Sequence, residues 1–138
     1  DLIDAADWAV NQGIARPDRV AIVGEGFGGF AAISALTFTD RFRCGASFGA
    51  PVSLTTMINA APWVERDMFQ RRIADTRTEA GRQTLRQRSP LYHAGRVRAP
   101  LLFASGLRDP RTPRSESDQF AQALRSRGTL TGGCPTSP

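Results

Sequence analysis

Apolar residues recur along this chain in two rhythms. Leu2, Ile3, Ala6, Trp8, Ala9 and Val10 follow a helical spacing that closes at Gly13, which predicts an opening helix. Arg16-Pro17-Asp18 interrupts it with a turn signature, and Val20-Ala21-Ile22-Val23 then reads as a short buried strand. Gly24-Glu25-Gly26-Phe27-Gly28-Gly29 follows and opens without a spacer into Phe30 to Leu36, a second helix. Phe42 to Phe48 predicts a second strand, closed by Gly49-Ala50-Pro51. Val52 to Arg88 is helical with breaks at Pro62 and around Asp75-Thr76, and Ser89-Pro90 begins a loop. Ala99-Pro100-Leu101-Leu102-Phe103-Ala104 predicts a third buried strand, ending at Ser105-Gly106. Ser115 is the expected N-cap of a helix from Glu116 to Arg127, whose apolar side carries Phe120, Ala121, Ala123 and Leu124. Gly128 stops it.

The strands, near 20–24, 42–48 and 99–105, are continuous apolar runs that alternate with helices. That pattern predicts an α/β fold whose parallel sheet is covered on both faces. With 138 residues the chain holds one domain, expected over 1–128. Residues 129–138 are polar, rich in glycine and proline and without period, and are expected to form an unstructured tail. The chain begins at Asp1, already inside a helical pattern, and so reads as a fragment or processed piece.

Charge changes little in this picture. The net charge is +5, and every basic residue among the 18 is arginine, scattered from Arg16 to Arg127. The densest stretch, Arg66 to Arg88, is interrupted by Asp67, Asp75 and Glu79, as on a solvated helical face. No nucleic-acid partner is expected. Cys44 and Cys134 give neither a disulfide framework nor a metal-ligand spacing, and Cys44, in an apolar run, is expected to be buried. With one histidine, no metal site is expected, and no cofactor. No apolar run approaches the ~20 residues of a membrane span, and no basic-then-apolar leader opens the chain. The expected location is cytoplasmic.

The glycine-rich turn admits two chemistries. Gly24, Gly26 and Gly29 match the G-x-G-x-x-G of a dinucleotide site, where a pyrophosphate meets a helix N-terminus. That reading needs an acidic residue at the end of the next strand, which here ends Phe48-Gly49-Ala50-Pro51; Asp40 lies before that strand. The alternative is a nucleophile elbow, G-x-S-x-G, in which a strained turn lifts a side chain above the sheet. Aligned on Gly24 and Gly28 the chain reads G-E-G-F-G, with Gly26 at the nucleophile position.

Four segments together resemble the catalytic α/β-hydrolase domain of the prolyl oligopeptidase family of serine peptidases. Gly24 to Phe30 is similar to that family's G-G-S-Y-G-G-Y elbow except at the serine and the aromatic positions. Pro17-Asp18-Arg19-Val20-Ala21-Ile22 resembles the approach to it. Ser89-Pro90-Leu91-Tyr92-His93-Ala94, leading to Ala99-Pro100-Leu101-Leu102, is similar as well. Gly106-Leu107-Arg108-Asp109-Pro110-Arg111-Thr112-Pro113 resembles the G-x-x-D-x-x-V-P loop that supplies the triad acid. The resemblance implies a partial α/β-hydrolase fold and peptide substrates. It implies Asp109 as the triad acid and the Phe27 N–H as one oxyanion donor. It also implies that the triad histidine falls beyond Pro138, and that the second donor and the family's propeller lie upstream of Asp1. His93 precedes Asp109 and is expected to be structural. With glycine at position 26 the resemblance implies a catalytic domain inactive as written, a pseudoenzyme or a truncated gene product. The oligomeric state stays open.

Overall fold

The computed structural model of the protein describes residues 1–128; the expected tail lies outside the described residues. Helix α1 (Leu2–Asn11) opens the chain with a capping box, in which the Asp1 side chain accepts from the N–H groups of Ile3 and Asp4. Strand β1 (Ala21–Glu25) leads into α2 (Phe27–Phe38), then β2 (Cys44–Phe48). Three short helices follow: α3 (Leu54–Ala60), α4 (Trp63–Arg72) and α5 (Glu79–Arg88). A 3-10 segment (Pro90–Arg96) leads to β3 (Leu101–Ala104) and α6 (Arg114–Arg125).

The strands form a parallel three-stranded sheet in the order β1-β2-β3. Alternation assigns its faces. Ile22, Gly45 and Leu101 share one row, and Gly24, Ser47 and Phe103 the next. This face meets α2, which is apolar all round and therefore central. Ile33, Leu36, Leu101, Phe103, Phe120 and Leu124 pack in the core between sheet and helices. A second cluster joins Phe30 of α2 to Leu54, Ile58 and Leu85, so α3 and α5 build their own small core at the elbow end of α2. Ser89, fully buried, ties that layer together: its hydroxyl donates to the Leu85 carbonyl at 2.6 Å and accepts from the Leu54 N–H at 2.9 Å.

The expectation of two covered faces is corrected. On the other face Val23, Ala46 and Leu102 share a row, with Val23 at 67% and Leu102 at 40% exposure. Phe48 on the next row is also exposed, as is Cys44, which was expected to be buried. A continuous apolar run leaves both faces sticky but does not say which of them a helix reaches. Ser115 does not cap α6. The helix starts at Arg114 behind Pro113, whose ring fixes the entry backbone at φ −54°, and Ser115 lies in the first turn. Trp63, the first residue of α4, is 82% exposed.

Candidate active site

The carboxyl edge of the sheet gathers three loops, and backbone hydrogen bonds hold them side by side. The Gly26 N–H donates to the Phe48 carbonyl at 2.9 Å, and the Gly49 N–H to the Ala104 carbonyl at 2.8 Å. These extend both ladders one step past the strands. They bring the turn after β1, the turn after β2 and the loop after β3 to one edge.

The turn after β1 is shaped by its glycines in unequal ways. A Cβ on Gly24 would lie 2.2 Å from the Gly28 carbonyl oxygen, so only glycine lets strand and helix approach this closely. A Cβ on Gly29 would come within 2.8 Å of both Ala50 Cβ and Ser47 Oγ. Gly26 differs. Its backbone is at φ +55°, ψ −123°, a region glycine enters freely, and a Cβ there would meet nothing within 4 Å. This is the geometry of a turn that presents a side chain into open space, with hydrogen at the point of presentation.

Phe27 follows at the first position of α2, where a helix leaves its N–H without an intrahelical partner. Among the described residues that N–H makes no hydrogen bond. The Phe27 ring is half exposed and stacks on Phe30 at 5.4 Å.

Asp109 enters from the loop after β3. Its Oδ1 accepts the Arg111 N–H at 2.9 Å, and the Arg111 guanidinium lies 3.8 Å away. Its Oδ2 makes no hydrogen bond among the described residues and faces Gly49, at whose α-carbon a Cβ would be 3.9 Å from it. Gly49 is also at positive φ, +53°.

Gly26, Phe27 and Asp109 line one cavity of about 540 Å³, together with Met57, Ala61 and Phe69 from the α3–α4 layer. The sequence singled out the first three but not these apolar walls. Met57, Ala61, Glu65 and Phe69 do share a spacing of four, the signal of one helical face, but Pro62 breaks that run into two helices. Glu25, at the end of β1, is exposed and also lines the cavity.

Other hydroxyl and imidazole groups near the sheet lie apart from position 26. Ser34 and Ser47 have buried hydroxyls without partners among the described residues, and Ser105 accepts from Ser117 at 3.0 Å. His93 packs edge-on against Phe38, the last residue of α2. Gly26 is at the other end of that helix, about 18 Å away at 1.5 Å per residue. Glu116 of α6 accepts a hydrogen bond from Thr56 of α3, a link that no local pattern announced. Burial pushes its carboxyl above the ordinary glutamate range, and the Thr56 hydroxyl pulls it back only partly.

Known proteins are similar to nearly the whole of the chain. A dipeptidyl aminopeptidase BIII of Pseudoxanthomonas mexicana is 42% identical over 131 residues, 92% of this chain and 19% of that protein. The solved structure of a Mycobacterium tuberculosis puromycin-hydrolysing peptidase superposes with a TM-score of 0.83 at 34% identity, covering 95% of this chain and 21% of the other. An acylaminoacyl peptidase bound to Z-Gly-Gly-Phe-chloromethyl ketone gives 0.79 at 27% identity, over 97% of this chain and 21% of the other. The chain spans about a fifth of the length of these relatives. The family model described as prolyl oligopeptidase family matches residues 1–131. With that match over nearly its whole length and 42% identity to the aminopeptidase, the chain belongs to the prolyl oligopeptidase family.

Proposed function

We propose that this chain is a peptide-contacting segment of a prolyl-oligopeptidase-type catalytic domain that performs no hydrolysis as written. The observation that carries the reading is Gly26: it holds the presenting backbone of an elbow, beside Asp109 and over an open cavity, and has no side chain. In this reading Asp109 is the acid that would orient a histidine through its free Oδ2. The Phe27 N–H is a donor to an oxyanion. Without a hydroxyl at position 26 no acyl intermediate forms. Loss of a triad nucleophile costs ~10⁶ in turnover. The apolar walls of Phe27, Met57 and Phe69 remain able to receive a peptide side chain. The acylaminoacyl peptidase that carries a peptidyl chloromethyl ketone supports peptides as the ligand class.

The test is incubation of the 138-residue chain with a fluorophosphonate probe and with aminoacyl and peptidyl anilides. Neither labelling nor anilide release above buffer is expected; stoichiometric labelling would overturn the inactivity.

A further inference from the structure

The cavity beside the elbow has apolar walls and an uneven charge. Glu25 comes from the end of β1, Glu65 from the first turn of α4 and Asp109 from the loop after β3. The guanidinium in the lining, Arg111, lies against Asp109. Glu25 and Glu65 form no ion pair among the described residues, although the chain carries net charge +5. Elsewhere Asp7, Asp18, Asp67, Asp75, Glu79 and Asp118 each sit within salt-bridge distance of an arginine. Two of the three arginines that follow Glu65 on α4 are engaged away from it. Arg66 donates to the Asn59 and Ala61 carbonyls, and Arg71 pairs with Asp67.

A second feature marks the same cavity as a ligand site. Thr112, which lines it, is 4% exposed, and its hydroxyl has no hydrogen-bond partner among the described residues. A buried hydroxyl left unpaired costs free energy that a bound polar group can recover.

We propose that this cavity takes a peptide residue with a basic side chain. Phe27, Met57 and Phe69 surround the aliphatic stem, and Glu25 and Glu65 receive the cationic end. Arginine and lysine suit such a site because their stems are apolar and only their tips are charged. The proposal rests on the reading of the cavity as the peptide-contacting site.

The test is an NMR titration of the full chain with N-acetyl-arginine amide, N-acetyl-citrulline amide and N-acetyl-norleucine amide. Citrulline keeps the shape of arginine and removes the charge. Arginine is expected to bind roughly three- to tenfold more tightly than citrulline, the scale of two exposed ion pairs. In the Glu25→Gln/Glu65→Gln double variant that ratio should fall close to one, with citrulline affinity unchanged. If citrulline or norleucine binds as tightly as arginine to the unaltered chain, the charge preference is overturned and the peptide cavity stands. If the arginine preference survives the double variant, Glu25 and Glu65 are not its source. If none of the three amides shifts the resonances of cavity residues, the underlying reading fails and takes this one with it.

Discussion

The elbow and the acid loop stand side by side at the carboxyl edge of the sheet, yet they are built by opposite means. The elbow is a backbone object. Gly24 fits against the Gly28 carbonyl, Gly29 against Ala50 and Ser47, and the Gly26 N–H extends the β1–β2 ladder. None of these interactions involves a side chain at position 26, so the turn survives there with hydrogen alone. The acid loop depends on a side chain: the Asp109 carboxylate accepts the Arg111 N–H and draws in the Arg111 guanidinium. The difference teaches that the shape of one loop is held by backbone contacts while that of its neighbour is held through a side chain.

The comparison breaks most readily at Gly24. Gly24→Ala places a methyl inside the strand–helix contact and is expected to destabilise the chain by about 3 kcal/mol, read as a lower urea midpoint. An unchanged midpoint would mean that the close approach is not what holds the turn. A smaller effect is expected at the neighbouring glycine of the same turn. Gly26→Ser has open space for its side chain and pays only for its positive φ, about 1 kcal/mol. In the 138-residue chain the serine should remain unlabelled by a fluorophosphonate, because His93, the single histidine, lies at the far end of α2. Labelling of that variant would show that another group serves as the base.

The smallest effect sharpens the contrast with a carboxylate outside the site. Burial raises the pKa of Glu116 in the folded chain, so folding favours its protonated form. The stability contributed by that form is complete below the ordinary glutamate range and is lost as pH rises through the raised folded pKa. Glu116→Gln keeps an acceptor for Thr56 and removes the buried charge. It should raise the melting temperature slightly at pH 7, and the gain should disappear in acid. A gain of equal size at both pH values would point to packing instead of charge.

Much of the proposed site could be picked out because its markers are local. A strand, a glycine turn and a helix are adjacent in sequence, and Asp109 follows the third strand within a few residues. What could not be read were the partners brought in from elsewhere. Glu25 of β1 lines the cavity together with Met57 of α3 and Phe69 of α4, which are distant from it in sequence. Cys44 was misplaced for a similar reason: an apolar neighbourhood along the chain is no guarantee of a covering element in space.

By itself the sequence determined the alternation of strands and helices, the parallel sheet and the identity of residue 26. These depend on short-range periodicity and on which residues tolerate a tight turn. The tertiary structure decided which sheet face α2 and α6 cover, and that Gly26 is open while Gly24 and Gly29 are closed by contact. It also gave the cavity its uneven charge. Each of those outcomes depends on which distant atoms arrive beside a residue, and packing in three dimensions sets that where periodicity along the chain does not.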